Sequence, residues 1–96
     1  MGIPGKVKDY YLEKYGITFG AYTLMLIKQH YKCKICKTLE GKKHLAVDHD
    51  HKTGKVRGLL CGPCNRALGS FKDDVDILKK AIIYLEESNK INLHEY

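Results

Sequence analysis

Apolar side chains recur at helical spacing near both ends of this chain, and the middle is built differently. Phe19, Tyr22, Met25 and Leu26 fall three or four residues apart, the mark of one helical face, behind Thr18, whose hydroxyl suits an N-cap. This helix is expected to run to about His30. Ahead of it, Lys6 to Tyr15 reads as a short helix stopped by Gly16 in a left-handed cap, and residues 1–5, with Gly2, Pro4 and Gly5, as a loose lead-in. At the far end Asp73 is expected to cap a last helix reaching about Ser88, with Asp74 and Asp76 near its positive end. That helix carries two apolar stripes, Val75, Leu78, Ile82 and Leu85 on one, Ile77, Ala81 and Tyr84 on the other. The second helix can cover one stripe. The other calls for a second copy of the chain, giving a homodimer through the C-terminal helix, or for the N-terminal helix instead.

The middle reads as knuckle, hairpin and short helix. Cys33 to Cys36 is a turn, as is Glu40 to Lys43, followed by a strand over His44 to Val47. Thr53-Gly54 marks the turn within Asp50 to Lys55, and Val56 to Leu60 returns. Pro63 fits the first turn of a helix that ends at Gly69. The class is therefore α+β, with Asp48 and His49 at the end of the first strand and Cys64 and Asn65 in the first turn of the helix.

The cysteines change the picture most. Cys33-Lys34-Ile35-Cys36 and Cys61-Gly62-Pro63-Cys64 use all four, at a spacing suited to one tetrahedral zinc ion. Four thiolates leave no open coordination position, so the zinc is read as structural. In a small secreted protein the same cysteines could form disulfides. The absence of a signal peptide in Met1-Gly2-Ile3-Pro4 and the paired spacing favour zinc and a reducing, cytoplasmic setting. A chain of 96 residues is expected to be one domain with a small core, which a metal clip would help to fix. No apolar run approaches the about 20 residues of a membrane helix, so no membrane partner is expected.

The formal net charge of +6 is concentrated. Between Lys28 and Arg57 nine Lys or Arg face only Glu40, Asp48 and Asp50, and the rest of the chain is balanced. A positive field around the Cys/His stretch suits a nucleic acid, with Arg57, Lys52, Lys55, Lys42 and Lys43 as candidate phosphate contacts. Asp48 offers a carboxylate oxygen and Asn65 an amide oxygen, donors for Mg²⁺ or Mn²⁺. An imidazole can exchange a proton near neutral pH, so His49 could take one from an attacking water. Adjacent strand residues point to opposite faces, so a joint site for Asp48 and His49 requires a local irregularity. Other readings stand beside this one: His49 or His51 could replace a cysteine at the zinc, or simply pack.

In order, the Cys-x-x-Cys step, basic hairpin, Asp48-His49-Asp50-His51, Thr53-Gly54, Val56-Arg57-Gly58-Leu59-Leu60 and Cys61-x-x-Cys64-Asn65 closely resemble the recombination endonuclease VII family of HNH nucleases, found in bacteriophages and bacteria. Leu45-Ala46-Val47 before that run, Arg66-Ala67-Leu68-Gly69 after it, Tyr15-Gly16-Ile17-Thr18 and Gln29 are also similar. The resemblance implies a ββα-metal (His-Me finger) core clipped by a four-cysteine zinc site, with flanking N- and C-terminal helices. The corresponding division is a helical lead-in over 1–31, the core over 32–69, and a C-terminal helix and tail over 70–96. It implies zinc on Cys33, Cys36, Cys61 and Cys64, a catalytic Mg²⁺ or Mn²⁺ on Asp48 and Asn65, and His49 as general base. His51 is a further catalytic candidate that would orient a phosphate or the loop. The implied activity is metal-dependent hydrolysis of DNA in a bacterial or phage-infected cell, by nicking or cutting duplex or branched DNA. Asn65 stands where many HNH enzymes carry a final histidine, and little chain follows Gly69 compared with junction-resolving members. The alternative from a different class is a zinc-stabilised module that binds DNA without cutting it.

Overall fold

The computed structural model of the protein describes residues 9–88. The expected lead-in over 1–5 and the helix start at Lys6 lie outside the described residues, as does the tail beyond Ser88. Two compact units divide the chain after Asn65.

In the first unit, one carboxylate organises the beginning. Asp9 accepts from the N–H groups of Tyr11 and Leu12 at 3.0 and 3.1 Å, capping α1 (Tyr10–Tyr15). It also accepts from the N–H of Phe19 at 2.9 Å, at the start of α2 (Phe19–Lys28). These donors, Phe19 foremost, hold its carboxyl below the usual range. Gly16 ends α1 at φ +78°, and Thr18 caps α2 through the Ala21 N–H at 3.0 Å, both as expected. α2 closes in a Schellman motif, with His30 N–H to Ile27 O and Tyr31 N–H to Leu26 O, both 2.9 Å. His30 (φ 56°) takes the left-handed place usually given to glycine, and Tyr31 (φ 61°) follows in the same region. Such a conformation costs a side chain-bearing residue roughly 1–2 kcal/mol, so the surroundings must enforce it.

One enforcing group is Gln29. Its Nε2 donates to Leu59 O and to Lys32 O, both at 2.9 Å, while its Oε1 accepts from Leu59 N–H at 3.0 Å. The side-chain amide thus stands in for a neighbouring strand's peptide beside β2 (Val56–Leu60). β2 pairs antiparallel with β1 (Ala46–His49), Ala46 facing Leu60, Val47 facing Leu59 and Asp48 facing Gly58. The register then shifts: His49 faces Val56, and Arg57 is the extra residue of a bulge. β1 starts two residues later than the alternation suggested, because the Leu45 backbone is already paired with side chains. Its N–H donates to Glu40 Oε2 at 3.1 Å and its carbonyl accepts from the Tyr22 hydroxyl at 2.8 Å. Tyr22, Leu26, Cys33, Leu45, Val47, Leu59 and Leu60 form the core.

α3 (Gly62–Ser70) runs past Gly69, its expected end. Its second half belongs to the other unit, where Lys72 (φ 56°) rather than a glycine takes the left-handed position. Lys72 N–H bonds Gly69 O, and Asp73 N–H bonds Leu68 O, both at 2.9 Å. With Asp73 held there (φ 56°), the cap of α4 (Val75–Ser88) passes to Asp74, which accepts from Asp76 and Ile77 N–H at 2.9 and 3.1 Å. The helix has no buried residue, and Val75, Ile82, Ile83, Tyr84 and Leu85 are each more than half exposed. Among the described residues no helix is long and apolar enough to cross a membrane.

The Tyr22 hydroxyl is the point where the core's polar bonding is most easily broken. Burial first, then the charge of Glu40, raises its pKa well above the ordinary phenol range. Tyr22→Phe leaves the Leu45 carbonyl unpaired in the interior and is expected to cost about 1–2 kcal/mol. Urea unfolding should show a lower midpoint at an unchanged slope; an unchanged midpoint contradicts the role given to this bond.

Candidate functional site

Two groups of side chains meet in the first unit, one made of sulfur and one of oxygen and nitrogen. The Cys33–Cys36 knuckle is closed by Lys37 N–H to Cys33 O at 3.0 Å and Cys33 N–H to Thr38 O at 2.8 Å. Lys34 N–H reaches Leu59 O at 3.1 Å, which ties the knuckle to β2. Cys61 follows β2 directly and Cys64 lies in the first turn of α3. All four Sγ atoms come within 4.8 Å of one another, and Cys36 and Cys61 are 3.7 Å apart. Zinc–sulfur bonds of about 2.3 Å in a tetrahedron require sulfurs about 3.8 Å apart, so the residues fit the ion.

The ionisation of the thiols points the same way. Burial opposes charge on Cys33, but the backbone N–H groups of Cys61, Cys36 and Ile35 outweigh it and bring its pKa down to about 6. The hydroxyl and N–H of Thr38 lower that of Cys36. Cys64 is pushed up to about 12, by burial first and then by the other three cysteines. Thiolates this close repel one another, and a divalent cation among them would offset that repulsion.

The second group forms around the bulge. Asp48, only 7% exposed, receives a two-point bond from Arg57, with Nε to Oδ2 at 2.7 Å and Nη2 to Oδ1 at 3.0 Å. The extra residue in β2 brings Arg57 alongside the carboxylate. The irregularity that the sequence required at Asp48-His49 is therefore present. His49 is half-buried, and its Nε2 lies 2.7 Å from the Tyr15 carbonyl at the end of α1. That carbonyl is among those a helix leaves without an internal partner. It accepts only, so Nε2 carries a proton, and in the neutral ring the lone pair is on Nδ1.

The remaining candidates are spread over α3, the hairpin turn and the loop before β1. Asn65 is half-buried on α3, its N–H bonded to Cys61 O at 3.0 Å. His51, Lys42, Lys43, Lys52 and Lys55 are exposed. Asp50 builds the turn, accepting from Lys52 and Thr53 N–H at 2.8 and 3.0 Å; Thr53's N–H, then Lys52's, lower its pKa. Arg57 was expected to hold a DNA phosphate with two N–H groups, and two of its five donors are taken by Asp48. Sequence reasoning gave no role to the Tyr15 carbonyl or to the amide of Gln29. Both lie in stretches that the family resemblance included, which was the available signal.

With this geometry in hand, comparison with known proteins is decisive. Residues 8–87 match the model of recombination endonuclease VII. The chain belongs to the recombination endonuclease VII family. The Gene 59 protein of Mycobacterium phage D29 is 49% identical over 78 residues, covering 79% of this chain and 47% of that protein. The Gene 59 protein of Mycobacterium phage L5 is 50% identical over 76 residues, covering 77% of this chain and 46% of its own length. This endonuclease VII family member thus spans a little under half the length of either relative.

Two outcomes are expected from the geometry. Purified protein should hold one zinc ion per chain, and Cys36→Ser should lose both the ion and cooperative folding; folded protein free of zinc by elemental analysis contradicts the four-sulfur site. Arg57→Ala leaves a buried carboxylate without its partner, and because Arg57 is partly exposed the loss should be about 2–3 kcal/mol. Combining it with Asp48→Asn should recover most of that loss. A double variant no more stable than Arg57→Ala alone contradicts the pairing.

Proposed function

We propose that this chain is a metal-dependent DNA endonuclease that hydrolyses phosphodiester bonds in a ββα-metal arrangement of β1, β2 and α3. The observation that carries the proposal is the fixed ring of His49 in a chain that belongs to an endonuclease family. With Nε2–H donated to Tyr15, Nδ1 is left as the basic nitrogen, and it takes a proton from water as the new oxygen–phosphorus bond forms. A general base of this kind contributes ~10²- to 10⁴-fold. Orientation matters here as much as basicity, because a ring held at one nitrogen cannot turn its lone pair away.

The oxygen donors of Asp48 and Asn65 suit a hard cation and would hold Mg²⁺ or Mn²⁺. Such an ion, when bound, neutralises the scissile phosphate and the leaving 3′ oxygen. Arg57 holds the Asp48 carboxylate in one orientation, and each carboxylate oxygen keeps a further lone pair for a second partner. A zinc ion on the four cysteines would fix the end of β2 against the start of α3 and take no part in the reaction. Exposed Lys52 and Lys55 on the hairpin turn, with Lys42 and Lys43, would meet phosphates, and the exposed apolar face of α4 is where a second copy would pair.

Supercoiled plasmid supplies the test. The protein should relax it with Mg²⁺ or Mn²⁺ and leave it intact with EDTA at a level that does not remove zinc. Asp48→Ala and Asn65→Ala should each cut far more slowly while retaining zinc. Paired copies acting on one duplex should yield linear DNA, and single copies nicked circles. Binding without any cutting under every cation condition contradicts the proposal and favours a zinc-stabilised binding module.

A further inference from the structure

A second basic feature lies apart from the hairpin lysines and has no part in the chemistry above. Where α2 ends and the cysteine knuckle begins, a cleft of about 370 Å³ is lined by Lys28, Gln29, His30, Lys32, Lys34 and Lys37. Four lysines and a histidine line one space, and no carboxylate is among its lining residues. The lysines and His30 are exposed, so the positive field is open to a ligand from outside.

The cleft is built rather than incidental. His30 and Lys37, on opposite sides of the segment, both take the left-handed conformation unfavourable to residues with side chains, and Tyr31 does as well. Gln29, in its lining, is bonded to both backbone groups of Leu59. Lys34 lies across β2 with its Nζ donating to Arg57 O at 3.2 Å, and Lys37 donates to Lys34 O at 3.0 Å. Gly58 makes this possible, because a Cβ there would come within 2.8 Å of Lys34 Cδ. The cleft is thereby joined to the strand that carries Arg57.

We infer that this cleft binds a phosphate of the DNA backbone away from the bond being cut. A cleft of this charge attracts a phosphate, and its attachment to β2 favours a ligand whose phosphates recur along a chain. Such a ligand can occupy the cleft and the hairpin together, which a single phosphate cannot. The inference rests on the endonuclease reading, since that reading supplies the DNA.

The test is DNA affinity against salt. Binding of a labelled duplex of arbitrary sequence is followed by fluorescence anisotropy, without added divalent cation so that no cutting intervenes. Wild type is compared with Lys28→Gln/Lys32→Gln/Lys37→Gln, and with Lys72→Gln/Lys79→Gln/Lys80→Gln, which removes equal charge from exposed positions of the second unit. Lys34 is kept because it bonds β2. Losing one neutralised phosphate reduces the slope of log affinity against log salt by ~0.9, so the cleft variant's slope should fall by ~1 and the control variant's by clearly less. Equal slopes for the two variants overturn the inference even if wild type cuts plasmid, and the endonuclease reading then stands without it. Wild type that neither binds nor cuts DNA overturns both. Should the triple variant lose zinc, Lys28→Glu alone on the exposed side of α2 serves: a shallower slope supports the cleft, and an unchanged slope overturns it.

Discussion

Four sulfur atoms brought together from two distant steps of the chain are the constraint on which the rest depends. Cys33 and Cys36 come from a knuckle after α2, Cys61 from the end of β2 and Cys64 from the start of α3. Among the described residues the core is small, seven buried side chains around Leu59 and Cys33, too few to fix three loop-connected elements by burial alone. Backbone N–H groups favour charge on Cys33, while burial, followed by the other three cysteines, opposes it on Cys64. A divalent ion removes the conflict and turns the same proximity into a crosslink.

Beside that cluster the hairpin is held by side-chain bonds, several of them made to backbone groups. Gln29 pairs with Leu59 as a strand would, Glu40 and Tyr22 complete the bonding of Leu45, and Arg57 grips Asp48. Each of these bonds sits within or beside the hairpin, and each limits how far Asp48 and His49 can move. The bulge at Arg57 is the necessary departure from regular pairing. With unbroken register His49 would face Arg57, and Arg57 would not stand beside Asp48. The carbonyl at the end of α1 completes the arrangement by choosing which nitrogen of His49 is basic.

Much of this was legible in residue types whose role depends on near neighbours. The Cys-x-x-Cys steps, the cap at Thr18, the left-handed Gly16 and the Thr53-Gly54 turn each act within a few residues, and the structure has all of them. What the sequence did not reveal acts at long range or through the backbone. The Tyr15 carbonyl has no identity in a sequence, being the same group in every residue, so its bond to His49 across 34 residues leaves no mark. The pairing of Arg57 with Asp48 depends on a one-residue register shift that alternation cannot reveal. At α4 two neighbouring aspartates compete for one cap, and the left-handed backbone at Asp73 decides for Asp74. The apolar stripes of α4 are plain in sequence, but what covers them is not a property of the helix.

The proposed function divides the work between a zinc that would shape the site and a histidine that would take the proton. His49→Ala tests that division most directly when zinc content, DNA affinity and plasmid cutting are measured on one preparation. The expected result is full zinc, near-normal affinity, and cutting slower by ~10²- to 10⁴-fold. Cutting at the wild-type rate by zinc-loaded His49→Ala would contradict it.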